Sequence, residues 1–110
     1  MNRRAKLSRR AERDVRAIQT WLVERSRAGA LRWLDALQAV LDQLPATASS
    51  CPVAPEADDL GLDLRQKLFK TRRGHVYRLV FVIREDSVEI LAVRGTGQDF
   101  LAAEELELPE

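Results

Sequence analysis

VYRLVFVIREDSVEILAVR, residues 76–94, holds two runs rich in β-branched and aromatic residues that mirror each other across Glu85-Asp86. Residues of that kind pack well on a pleated surface, and a two-residue link joins such runs as an antiparallel hairpin. The turn sets the register, placing Phe81 opposite Ile90, Leu79 opposite Ala92 and Tyr77 opposite Arg94. One face then carries Tyr77, Leu79, Phe81 and Ile83 with Ile90 and Ala92, and is expected to meet the rest of the fold. The other carries Val80, Val82, Leu91 and Val93 around Arg78. An arginine in such a place must reach water, pair with an acid, or hold a ligand.

Working outward, LDLRQKLF (62–69) alternates and reads as a third strand beside the hairpin. The preceding PATASSCPVAPEADDLGL (45–62), with its prolines, small residues and acids, reads as a long ordered loop. Two helices are predicted before it. Ser8 offers an N-cap, and Ala11, Val15, Ile18 and Leu22 recur at helical spacing, widened by Trp21, up to a break at Gly29. Ala30, Trp33, Leu34, Leu37, Val40, Leu41 and Leu44 form the second stripe, which Pro45 is expected to stop. So short a link makes the two an antiparallel helical hairpin, with both tryptophans on its apolar stripes. RRAKL (3–7) is a short strand candidate. The fold class is α+β, in the order β-α-α-β-β-β: a short N-terminal strand, a helical hairpin and a three-stranded antiparallel meander. Residues 1–110 are expected to form one domain, with an acidic tail from about residue 99.

Composition narrows the function. The chain is 45% hydrophobic and 32% charged, which suits a folded domain and not a disordered one. No apolar run approaches membrane-span length, no apolar stretch follows the basic N-terminus as in a signal peptide, and no membrane partner is expected. Cys51 stands alone, so no internal disulfide is possible, and a cytoplasmic location is expected. Net charge is only +1, yet residues 63–84 hold seven bases against Asp63, while 85–110 hold eight acids against Arg94. That pattern argues against a generic nucleic-acid coat and leaves a local basic site open.

Most catalytic constellations fail on inventory. One histidine and one cysteine do not make a zinc site, and RGTG (94–97) lacks the spacing of a phosphate loop. No metal or cofactor is expected. What remains is a cationic cluster of Arg65, Lys67, Lys70, Arg72, Arg73, His75, Arg78 and Arg94. RNA cleavage by its own 2′-hydroxyl needs a base, cations around the phosphate and an acid. His75 suits the acid or base, Arg78 and Arg94 the phosphate clamps, and Tyr77 a base stacker. The plainer alternative makes Arg65 to Arg73 a solvated strand and turn, His75 a loop residue and Tyr77 a core residue. The Val80/Val82/Leu91/Val93 face, left open by helices that cover only one side, implies a partner unless the acidic tail folds across it.

RAERDVRAIQTWL, SRAGALRWLDALQAVLDQL, CPVAPE, LRQKLFKTRRGHVYRLVFVI and DSVEILAVR, in that order, resemble the RelE/ParE superfamily of toxins from type II toxin–antitoxin systems. The likeness spans roughly residues 3–101, and AERD with YRLVF…ILAVR is its most specific part. It implies the strand order already read, a growth-inhibiting role of the plasmid-stabilisation kind, and a cognate antitoxin that wraps the toxin as a hetero-oligomer. The expected antitoxin-binding residues are Arg65, Arg78, Val80, Val82, Leu91 and Val93. Two targets are implied: ParE-like members poison DNA gyrase, and RelE-like members cut mRNA on the ribosome. In the second case the catalytic residues would be Lys67, Lys70, His75, Arg78 and Arg94. The chain departs from the nuclease pattern after its last strand, where Gly95 and Gln98 stand in place of basic residues and the tail has no tyrosine. That departure favours a gyrase-binding, ParE-like toxin; the alternatives are an mRNA endoribonuclease and a decayed member that still binds antitoxin.

Overall fold

The computed structural model describes residues 4–71 and 74–95. A strand β1 (Arg4–Leu7) leads into helices α1 (Arg9–Arg25) and α2 (Arg27–Thr47). A 3-10 turn (Ala48–Ser50) and a one-turn helix α3 (Ala57–Leu60) follow, and then strands β2 (Arg65–Phe69), β3 (Tyr77–Ile83) and β4 (Ser87–Gly95). The sheet order is β1-β4-β3-β2, with β1 parallel to β4 and the meander antiparallel. The α+β class and the order of elements are those the sequence predicts. The acidic tail, Arg72, Arg73 and Gln98 lie outside the described residues.

Ser8 caps α1 as its type suggests, its Oγ accepting from the Ala11 N–H at 3.1 Å. The break between the helices falls on Ser26, not on Gly29. Ser26 is extended (φ −167°, ψ 115°), and its N–H closes α1 on the Leu22 carbonyl at 2.7 Å. Its Oγ accepts from the Gly29 N–H at 2.9 Å and so starts α2. One residue thus satisfies orphan groups of both helices, and Gly29 is simply in the first turn of the second. Pro45 does not end α2 either, which continues to Thr47. Proline lacks only its own N–H, a single bond lost in the last turn, while Leu44 and Ala48 hold that end in the core.

The helices cover one face of the sheet. Ala11, Trp33, Leu37 and Leu44 meet Phe69, Tyr77, Leu79, Phe81, Val88, Ile90 and Val93 there. Trp33, Phe69 and Tyr77 form an aromatic cluster with centroids 5.4–5.9 Å apart. Each such buried apolar side chain contributes about 1.5–3 kcal/mol. Trp21, expected on the apolar stripe, is instead exposed and carries the Arg25 guanidinium over its ring at 3.6 Å.

The hairpin register holds only near the turn. Phe81 faces Ile90 as expected, but a bulge follows, so Leu79 faces Val93 and Tyr77 faces Gly95, not Ala92 and Arg94. The extra residue moves Val93 to the helix side and Ala92 to the other face. α1 satisfies the disturbed backbone: Asp14 Oδ2 accepts the Val93 N–H at 2.9 Å, and the Ser8 hydroxyl donates to the Leu91 carbonyl at 3.3 Å.

Candidate functional site

The second face of the sheet is not open. The segment from Ala54 to Leu64, most of it within the stretch 45–62 read as a loop, folds across it as a strap. Ala54, Ala57 and Leu64 bury Val80, Val82, Leu91 and Ala92, with Leu60 and Leu62 at the margin. Val80 and Leu91 are fully covered, Val82 nearly so, and Val93 belongs to the opposite core. The expectation that Val80, Val82, Leu91 and Val93 face outward is therefore corrected. Two backbone hydrogen bonds, Ala54 N–H to the Leu64 carbonyl at 2.8 Å and Gln66 N–H to the Pro52 carbonyl at 3.0 Å, together make the Val53–Arg65 bridge that fastens the start of the strap beside β2. A loop of this composition stays in place because it delivers apolar groups to an apolar face and one carboxylate to its arginine.

That carboxylate is Glu56, only 2% exposed. Arg78 Nη1 donates to Glu56 Oε1 at 2.9 Å and to Gln66 Oε1 at 3.3 Å, and its Nη2 donates to Glu56 Oε2. The planar guanidinium meets the carboxylate as a fork, the strongest geometry open to the pair. Arg94 lies opposite Arg78 across the ladder and is also buried. Facing cations repel, so an acid delivered to this face offsets a cost built into the strand pairing.

The other predicted groups lie elsewhere. Lys67 is exposed on β2 opposite Leu79, which places it on the helix side of the sheet, away from Arg78. Arg65, opposite Phe81, also lies on that side, where its Nη1 donates to the carbonyls of Ser49 and Cys51 at 3.1 and 2.9 Å. It thereby anchors the root of the strap. Lys70 and His75 are exposed on either side of the β2–β3 connection. Tyr77 is buried on the helix side, and burial pushes its phenol above the ordinary value. The sheet thus separates Arg78 and Arg94 from Lys67 and Tyr77 and does not bring the predicted nuclease set together. Sequence reasoning does not reach Glu56, Gln66 or Ser26. Glu56 sits twenty-two residues before its partner in an acidic loop, and no local pattern links the two.

Among the described residues no helix is long and apolar enough to cross a membrane. Residues 5–100 match the family model of the ParE toxin of type II toxin–antitoxin systems, parDE. No curated protein matches the chain.

Proposed function

We propose that this chain, which belongs to the ParE toxin family of type II toxin–antitoxin systems, stops bacterial growth by binding DNA gyrase and is neutralised by its cognate antitoxin. Its action would take place in the cytoplasm, where gyrase works, and would need no cofactor. One observation carries the choice of binding over RNA cleavage: the guanidinium fork best placed to clamp a phosphate is already held by Glu56 in a buried pair. Seating a phosphate on Arg78 would require expelling that carboxylate and lifting the strap that carries it off the apolar face. Lys67 on the far side of the sheet supports the same reading. A protein that acts by surface complementarity needs no assembled acid–base set.

The test is induced expression in a bacterial host, with and without the neighbouring antitoxin frame, following growth, the DNA-damage response and mRNA ends. Growth arrest with the damage response induced, relieved by the antitoxin, together with gyrase inhibition by the purified protein, is the expected result. Cuts in ribosome-bound mRNA that vanish in Arg78→Ala would overturn the reading in favour of the endoribonuclease. A folded protein that leaves growth untouched would overturn it in favour of a non-toxic, antitoxin-binding member.

A further inference from the structure

The first sixteen residues hold seven Lys or Arg against only Glu12 and Asp14, and the site around Arg78 uses none of them. α1 sorts part of this charge onto one ridge. Ala11, Val15, Ile18 and Leu22 pack into the core. Arg9, Arg13, Arg16 and Thr20, at the same spacing on the opposite side of the helix, are all exposed.

For the fold alone this arrangement is unfavourable. Arg9 and Arg10 stand in the first turn of α1, where the positive end of the helix dipole disfavours cations. Arg9 and Arg13 lie four residues apart, the spacing at which like charges on a helix repel. Asp14 is committed elsewhere: its Oδ1 accepts from Arg10 at 2.9 Å and its Oδ2 from the Val93 N–H at 2.9 Å. Among the described residues Arg9 and Arg16 form no salt bridge. A set of like charges that works against its own helix is expected where those charges serve a partner.

The surroundings of the ridge select the anion. Its cations are arginines, whose planar forks suit phosphate. Among the described residues no large apolar side chain is exposed on the first three turns of α1, so the ridge has nothing to insert into a lipid surface. The nearest exposed aromatic ring, Trp21, lies more than a turn beyond Arg16 and is stacked by Arg25, so the ridge carries no platform for unpaired bases. From Arg9 to Arg16 the helix rises about 10 Å, and duplex DNA carries one charge per about 1.7 Å of its axis, so the row faces about six phosphates.

We propose that the arginine ridge of α1 lies along the backbone of duplex DNA and contacts its phosphates without reading sequence. The choice of DNA over duplex RNA rests on the gyrase reading, since gyrase holds DNA; the phosphate chemistry rests on the ridge alone. The contact adds to the affinity for gyrase with its DNA over gyrase by itself.

The test uses the full chain and the fluorescence anisotropy of short labelled DNA duplexes of two unrelated sequences, between about 50 and 200 mM salt. Both duplexes are expected to bind equally, with affinity falling as salt rises. Arg9→Gln with Arg16→Gln should lower the slope of log affinity against log salt by about 2, whereas Arg27→Gln with Arg32→Gln, which removes the same charge from exposed positions of α2, should leave it unchanged. The first double variant should melt no lower than the wild type, so that lost binding is not lost folding. No binding at about 50 mM salt, or equal slopes for the two double variants, would overturn the inference. So would tighter binding to duplex RNA of the same sequence, to poly-glutamate or to phosphatidylglycerol vesicles. Gyrase inhibition without DNA binding would sink this inference and leave the functional reading; DNA binding without gyrase inhibition would sink that reading and leave the phosphate contact.

Discussion

Replacing Glu56 with glutamine keeps the shape of the strap and removes its charge. In the wild-type chain Arg78 is 6% exposed and donates twice to Glu56 and once to Gln66. Deleting one charge of a buried pair is strongly destabilising, at a cost of about 3–5 kcal/mol. The lower end, about 3 kcal/mol, applies here because the introduced amide would keep one acceptor oxygen and Gln66 supplies another. Domains of this kind are stable by about 5–15 kcal/mol, so the change removes a large fraction. With a urea slope of about 1–3 kcal/mol/M, the unfolding midpoint should fall by about 1–3 M at unchanged slope. The joint variant Glu56→Leu with Arg78→Met should recover most of that loss, because an apolar pair needs no desolvation of charge. Equilibrium urea unfolding of the three proteins decides the matter. A loss below about 1 kcal/mol for Glu56→Gln, or a joint variant as unstable as the single one, would refute the reasoning that the strap is held by a desolvated ion pair.

Other predictions follow from single contacts. Tyr77 is the only tyrosine, and burial raises its pKa from 10.0, so tyrosinate absorbance should appear only above pH 10 in the folded chain. The unfolded phenol releases its proton first, so this contribution to stability is complete below about pH 10 and is lost as pH rises through the folded value; Tyr77→Phe should abolish that alkaline loss. Ser26→Ala, which removes the hydroxyl cap of α2, should cost about 1 kcal/mol by chemical denaturation. Gly61 has φ +66° with nothing near its missing Cβ, so Gly61→Ala should cost about 1–2 kcal/mol from backbone strain alone, read by the same denaturation. Asp14→Ala should cost about 1–3 kcal/mol by stranding the Val93 N–H at the bulge, and amide exchange at Val93 should quicken.

The parts of the fold that were legible in the chain are those set by short-range periodicity. The stripe of Ala11, Val15, Ile18 and Leu22 needs only a 3.6-residue repeat to be seen, and all four pack against the core. The Glu85-Asp86 turn needs only two strand-forming runs at the right separation, and it pairs Phe81 with Ile90 as expected. Ser8 was readable as a cap because capping acts within one turn. The bulge was not readable, because it depends on Asp14 and Ser8, distant in sequence, taking up the backbone groups it frees.

The candidate site divides in the same way. Sequence alone pointed to Arg78 as a residue needing a partner, since a guanidinium between apolar strand neighbours cannot remain unsolvated and unpaired. Which partner it has was settled only when the strap packed against the sheet. That packing joins Ala54, Ala57 and Leu64 to Val80 and Leu91 and brings Glu56 onto the arginine in one step. Periodicity reports the face a side chain points to; burial, pairing and vacancy are properties of what lands on that face. Here a proline-containing loop lands on it, and loops carry no repeating pattern from which their resting place can be read.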